Sequence, residues 1–172
     1  MANHKKRCRF YSISGLIILS LIMAIVIQIP FEHSNRTRQS EAKTYVAAMN
    51  RAQQAYFLEN SFFAGNVDSL ELGIPIETEY YTYSINLQAD RATVQNIGQS
   101  KRDDAKSYIG LVWVTHPESE LSPFAILCED DQPSAAPVTE FKPIEPGNQI
   151  TDVNCPPGYV DVNLLFSTKN TI

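Results

Sequence analysis

Few residues of this chain have types and spacings that could support chemistry. Cys128 and Cys155 could form a disulfide bridge or contribute to a zinc site, but no CxxC motif or adjacent pair of histidines supports zinc. His4, His33 and His116 lie in three separate regions, and the sequence has no nucleophile motif such as GxSxG. It also has no phosphate-binding loop and no dinucleotide fingerprint. We therefore expect no enzymatic activity, no cofactor and no small-molecule substrate.

Acidic residues surround both of these cysteines. Cys128 is followed directly by residues 129–131, all of them acidic, and Asp152 and Asp161 lie on either side of Cys155. Carboxylates gathered in this way suit a hard cation such as calcium. The ordered ligand spacing of an EF-hand is missing, however, so a solvated acidic surface is the simpler interpretation and no metal ligands are predicted.

An uncharged run follows the basic N-terminus. Residues 10–31 carry no formal charge, and as a helix they would be about 33 Å long, enough to cross a bilayer core of about 30 Å. We expect residues 10–31 to form a single transmembrane helix between a basic cytoplasmic N-terminus, residues 1–9, and an exported domain, residues 32–172. The predicted anchor positions in this helix are Gly15, Leu16, Leu19, Leu21, Ile25 and Pro30.

Positive charge next to the span sets its expected orientation. Lys5, Lys6, Arg7 and Arg9 precede it, and basic flanking residues tend to stay on the cytoplasmic side. The predicted location is therefore the inner (plasma) membrane, with membrane lipid as a partner and the C-terminal domain in the periplasm or on the cell surface. A cleaved signal peptide is the alternative, but its apolar core is usually shorter and no Ala-x-Ala-like site follows the run.

Export would separate the three cysteines by compartment. Cys8 should be reduced in the cytoplasm, whereas Cys128 and Cys155 should meet an oxidising environment. We therefore predict a disulfide bridge between Cys128 and Cys155. It would close a loop of about 28 residues and stabilise the fold by roughly 3–4 kcal/mol.

The predicted exported domain is acidic. All 19 acidic residues but only 10 of the 14 basic residues lie beyond residue 31, which gives a net charge of 10 − 19 = −9. Nucleic-acid binding needs clustered Lys and Arg that displace counterions from the phosphates. No nucleic-acid partner is expected for this reason.

Apolar residues recur at spacings of three and four after residue 37. This period predicts an amphipathic helix that continues from the membrane span, with a kink at Pro30. The predicted packing face of the helix consists of Ala42, Tyr45, Val46, Met49, Ala52 and Tyr56.

Four segments rich in β-branched and aromatic residues follow this helix. They are Glu79–Asn86, Ala92–Ile97, Tyr108–His116 and Phe124–Glu129. Their short connections predict a four-stranded antiparallel meander whose apolar face packs on the helix, which is an α+β fold. Residues 160–167 could add an edge strand from the proline-rich tail.

Aromatic residues of the strands are expected in the core. Tyr81 and Tyr83 alternate along the first strand and should be buried, whereas Tyr80 could be exposed. Trp113, in the most apolar strand, is expected to pack beneath the helix.

Taken together, the order of these elements resembles that of the type IV pilins and pseudopilins. The segment QSEAKTYVAAMNRAQQAYFLEN, Gln39–Asn60, is very similar to the helix that follows the anchor in the cyanobacterial type IV pilin-like G/H group, and the likeness in element order covers residues 10–130. The resemblance implies a pilin-like fold with a C-terminal disulfide-bounded loop. It also implies a non-enzymatic minor pilin or pseudopilin of a pilus or secretion-type filament, with other pilin-like subunits or pilus assembly components as partners.

The predicted span departs from this family in one respect. Pilins of this type carry a Gly followed by Phe-Thr-Leu-Ile-Glu, where a peptidase cleaves the leader, whereas Gly15 is followed by LIILS and residues 10–31 contain no glutamate. We therefore expect an uncleaved single-pass protein. The alternative function is that of a membrane-tethered extracytoplasmic binding module. This module would have a pilin fold and would bind a ligand or a surface.

Overall fold

The computed structural model describes residues 35–89, 91–114, 123–138 and 154–163. The chain separates into two units, Met1–Arg38 and Gln39–Ile172, and the second unit contains the sheet. The predicted span, its anchor positions and the kink at Pro30 lie outside the described residues. Within those ranges, no helix combines the length and the apolar character that crossing a bilayer requires.

A long helix, α1, occupies residues 35–60 of the described chain. Alanine is frequent along it, and alanine has the strongest intrinsic helix propensity. The helix ends where Ser61 adopts a left-handed conformation, with φ of 65°, and its N–H donates to the carbonyl of Phe57 at 2.7 Å. One stripe of α1, which includes Ala42, Val46 and Met49, is fully buried against the sheet.

In the described part of the chain, five antiparallel strands follow and pair in chain order. They are β1 Tyr81–Leu87, β2 Thr93–Ser100, β3 Tyr108–Trp113, β4 Phe124–Asp130 and β5 Tyr159–Asp161. The predicted antiparallel meander on one helix is confirmed, but the predicted number of four strands is wrong.

The fifth strand is short and comes from the proline-rich tail. It pairs Tyr159 with Asp130 and Asp161 with Cys128, so it begins one residue before the edge strand that the sequence allowed. Three residues are too few to show an alternating pattern in the sequence. The Cys128–Cys155 bridge lies beside this pairing.

The helix covers one face of the sheet. Strand residues that point to this side include Tyr81, Tyr83, Val94 and Val112, all of them buried. The phenol of Tyr81 donates to the carbonyl of Lys106 at 2.9 Å, so its polar atom is satisfied in the core. Tyr80 is half-buried.

Trp113 lies on the opposite face, which corrects the expectation that it packs beneath the helix. Successive side chains of a strand alternate between faces, and Val112 already points to α1. Trp113 therefore joins Ile109, Leu111 and Cys128 in a second core, and its ring stacks on that of Phe124 with centroids 5.8 Å apart. All of β3 is buried because both faces of this central strand are covered.

A buried amide network sets the distance between the helix and the sheet. Asn50 donates to the carbonyl of Ile126 at 2.9 Å and accepts from the side chain of Asn96 at 2.8 Å. Its amide occupies the space above Gly110, where an added Cβ would lie 1.9 Å from Asn50 Oδ1. Only glycine therefore allows this close approach. One turn later, Gln54 donates to the carbonyl of Pro123 at 2.7 Å.

Gly110→Ala should destabilise the fold by about 1–3 kcal/mol, because the added methyl group must displace the Asn50 amide from its hydrogen bonds. Urea unfolding of the full-length chain, followed by the fluorescence of its single tryptophan, Trp113, measures this loss. Gly65→Ala is the matched control, since no atom lies within 4 Å of the added carbon. Equal stability of the two variants would contradict the close contact.

Candidate interaction surface

The acidic residues after Cys128 have structural partners. Glu129 accepts from Lys106 at 3.1 Å and lies 3.6 Å from Lys43 of α1, so it joins the helix to the sheet. Within the described ranges, no three potential ligands are grouped closely enough to hold a metal ion. Asp152, which the calcium alternative included, lies outside those ranges.

Asp130, next in the chain, lies in a different electrostatic environment. Partial burial and the negative charge of Asp131 raise the pKa of its carboxyl above the ordinary value, whereas the N–H of Ser107 and the charge of Lys106 act in the opposite direction. The ionised carboxylate is therefore held at some cost to the folded state at neutral pH.

The structure contains the predicted disulfide bridge between Cys128 and Cys155. Their Cα atoms are 5.7 Å apart, and the bridge joins β4 to a residue 27 positions later in the chain. Cys128 is fully buried in the second core, where Tyr159 and Val138 also pack. The bridge thus attaches part of the C-terminal segment to the face of the sheet that α1 does not cover.

Gln99 holds another part of the same segment. Its side-chain amide donates to the carbonyl of Ala136 at 2.9 Å and accepts from the N–H of Val138 at 2.7 Å. A side chain therefore pairs with this backbone as a neighbouring strand would. Gln99 and the bridge therefore both help to position the segment after β4.

A similar amide pair positions the connection between α1 and β1. Gln53, fully buried, donates to the carbonyl of Ala64 and accepts from its N–H, both at 2.9 Å. The side chains of Phe63, Val67 and Leu70, which belong to this connection, are buried. Its backbone therefore has a defined course although it contains only one short 3-10 helix, Asp68–Leu70.

The end of α1 and the connection that follows it expose apolar side chains. Leu58, Phe62, Leu72 and Ile76 are exposed by 62%, 52%, 37% and 52%. Contiguous exposed apolar side chains mark contact surfaces, whereas single ones are common on any protein. Exposed acidic residues accompany them: Glu59, Asp68, Glu71, Glu77 and Glu79. We call the exposed side chains of residues 58–79 the acidic–apolar surface.

The structure places the predicted helix packing face against the sheet. Ala42, Val46 and Met49 are buried, and Tyr45, Ala52 and Tyr56 pack at the margin of the same core. Sequence reasoning missed two polar members of this face, Asn50 and Gln53, because amide side chains are usually solvated. Their positions at helical spacing beside Met49 were the available signal.

Comparison with known proteins finds a family match within the second unit of the chain, Gln39–Ile172. The model of the family described as type IV pilin-like G and H matches residues 39–156, which include most of α1, strands β1–β4 and both bridged cysteines. The chain belongs to this family. The type IV pilin-like match begins where the second unit begins and ends one residue after Cys155. Neither a curated protein nor a solved structure matches the chain significantly.

Family membership assigns a general character to this type IV pilin-like protein. Proteins of this kind associate with other pilin subunits or pilus components and are generally non-enzymatic. The acidic–apolar surface is the candidate for such subunit contacts in the described part of the chain.

Replacing both bridged cysteines, Cys128→Ser with Cys155→Ser, should lower the free energy of unfolding by about 3–4 kcal/mol, because the unfolded chain gains loop entropy. The measurement is urea unfolding of the full-length chain. Cys8→Ser is the matched control, since Cys8 is not part of this bridge. A loss below about 1 kcal/mol would show that Gln99 and β5 hold the segment without the bridge.

Asp130→Asn should stabilise the fold at pH 7 by a few tenths to about 1 kcal/mol, because it removes a partly buried charge but keeps an acceptor oxygen for Ser107. The folded-state pKa is raised, so protonation of Asp130 favours folding. As the pH falls through the folded pKa toward the ordinary value of 3.8, the wild-type residue becomes neutral and the advantage should disappear. Urea unfolding at pH 7 and pH 4 tests this; an advantage that grows on acidification would refute it.

Proposed function

We propose that this chain is a membrane-anchored, non-enzymatic minor pilin or pseudopilin that contributes to the assembly of a pilus or secretion-type filament. Residues 10–31 would anchor it in the plasma membrane, with residues 1–9 in the cytoplasm and residues 32–172 in the periplasm or at the cell surface. Its partners would be membrane lipid, other pilin-like subunits and components of the assembly apparatus.

The observation that carries this proposal is the family match over residues 39–156, a region that has the fold of one helix on an antiparallel sheet. The uncharged run before that region supports the anchor. The cysteine bridge is consistent with an oxidising compartment, since such bridges persist outside the cytoplasm.

The span sequence supports an accessory role in particular. It has no glutamate, and LIILS follows Gly15 in place of the expected cleavage sequence. A glutamate buried in the apolar span would pair with a neighbouring subunit's amine, and low dielectric would strengthen that pairing. A chain without it would enter a filament less efficiently and would keep its N-terminus. Intact-mass measurement would reject the uncleaved form if the chain began at Leu16 with a methylated amine.

The same missing glutamate favours a second candidate function. A pilin fold tethered to the membrane could bind an extracellular ligand or surface without joining a filament. Purification of the full-length chain from membranes separates the two candidates. Recovery of pilins or assembly-platform proteins supports the subunit role, and their absence supports the binding module.

Fractionation of cells tests the principal proposal directly. The full-length chain should be found in the membrane fraction and, in smaller amount, in filaments sheared from the cell surface. Deletion of the gene should reduce the yield of sheared filaments several-fold, and a copy expressed in trans should restore it. Unchanged filament yield, together with absence of the chain from sheared material, would refute the subunit role.

A further inference from the structure

Strand β1 forms one edge of the sheet, and in the described chain only its first half has a hydrogen-bonded partner on the outer side. There, the N–H of Thr78 donates to the carbonyl of Tyr81 at 2.8 Å, and the N–H of Tyr83 donates to the carbonyl of Ile76 at 2.7 Å. The odd-numbered residues of β1 therefore direct their backbone N–H and C=O groups away from β2.

The second half of this edge has no such partner among the described residues. Gln88 donates to Thr93 of β2 at 3.1 Å, so the even-numbered residues bond inward. The backbone groups of Ile85 and Leu87 must therefore point outward, where they form no hydrogen bond with the described chain. None of the residues 84–88 is buried. We call the outer side of residues 84–88 the open edge of β1.

The open edge lacks the features that usually protect an edge strand. β1 contains no charged residue and no proline, and all seven of its residues pair with β2 without a bulge. The other edge, β5, is protected by its length of only three residues. The chain turns directly after β5, where the N–H of Asn163 donates to the side chain of Asp161 at 2.7 Å. Of the two edges, β1 is therefore the better suited to accept another strand.

The side chains of the open edge define the pattern that an incoming strand needs. Ile85 and Leu87 lie on the side of the sheet that faces α1, at the margin of its core. Ser84 and Asn86 alternate with them and lie on the opposite side. Residues that pair across antiparallel strands share one side of the sheet. The residues that bond to Ile85 and Leu87 should therefore be apolar, and those between them should be polar.

Charge selects among strands of this pattern. Residues 74–91 contain three acidic residues and one basic residue, Arg91, which gives a net charge of 1 − 3 = −2. Lys101 and Arg102, which follow β2, each pair with an acidic side chain. Residues 32–172 as a whole carry 10 − 19 = −9. A cationic strand is therefore attracted, whereas a second copy of this acidic chain is repelled.

We propose that the open edge of β1 binds an extended, cationic segment of another polypeptide, which pairs antiparallel with residues 84–88 and adds a strand to the sheet. The segment continues the line that residues 76–78 begin, and its backbone satisfies the outward groups of Ile85 and Leu87. This inference goes beyond the proposed function, because it concerns a peptide-binding edge and holds whether or not the chain enters a filament.

A synthetic peptide with the required pattern tests the proposal on the purified full-length chain. In this peptide, threonine and valine alternate between terminal lysines, and the fluorescence anisotropy of a label on it should rise to saturation as the chain is added. N-methylation of the valine amides, which face β1 in the proposed complex, should weaken binding at least about tenfold. N-methylation of the threonine amides, which point away, is the matched control and should leave binding unchanged. No saturable binding, or an equal loss from both methylations, would overturn the proposal.

Ile85→Pro tests the same contact from the protein side. The proline removes the outward N–H of residue 85 and leaves the inward hydrogen bonds of β1 to β2 in place. Peptide binding should fall at least about tenfold, whereas Ile85→Val, the matched control that keeps the N–H, should bind as the wild-type chain does. Retention of the disulfide, seen by gel mobility without reductant, verifies folding, and the peptide methylations do not depend on any variant. Unchanged binding by Ile85→Pro would refute the proposed pairing.

The charge and the identity of the occupant are tested separately. Replacing the terminal lysines of the peptide with glutamates should weaken binding at least about fivefold, and added salt should narrow this difference. Equal binding of the two peptides would show that the partner need not be cationic and would contradict the proposal. Dimerisation of the full-length chain that Ile85→Pro abolishes would identify a second copy as the occupant and would likewise overturn it.

Discussion

The position of the Asn50 amide between the helix and the sheet is the constraint on which the remaining packing depends. Asn50 binds Ile126 and Asn96, and Gly110 provides the space for it. A buried amide is stable only when its partners are in place, because an unpaired polar group in the core costs roughly 1–3 kcal/mol. The helix therefore has one preferred position along the sheet, where an apolar contact alone would tolerate sliding.

Several side-chain amides of this protein form hydrogen bonds that backbone groups usually make. Asn50 reaches the free carbonyl of a strand, Gln53 pairs with the connection after α1, and Gln99 pairs with the segment after β4. Gln53 and Gln99 satisfy peptide groups in irregular chain, where no strand is available to do so. The irregular segments can therefore cross a small sheet without leaving buried N–H and C=O groups unpaired. Together with the disulfide, they give a single sheet of five strands two covered faces.

This organisation has a consequence for the candidate interaction surface. Since Gln53 and the buried residues Phe63 and Val67 hold the inner side of the connection, its outer side is presented in a defined conformation. Apolar residues are exposed there at no gain to the stability of the isolated chain. Association with other pilin subunits or pilus components is a general property of the type IV pilin-like family.

The sequence by itself determined the elements and their order. Helical spacing located α1, segments rich in β-branched and aromatic residues located β1–β4, and compartment reasoning paired Cys128 with Cys155. Each of these signals depends on neighbours in the chain or on redox chemistry. Only the tertiary structure decided that β5 exists, that Trp113 packs away from the helix, and that Asn50 and Gln53 are buried. These features depend on atoms that are far apart in the chain and come into contact only after folding. The sequence around a polar residue does not show whether a hydrogen-bond partner many positions away will bury it.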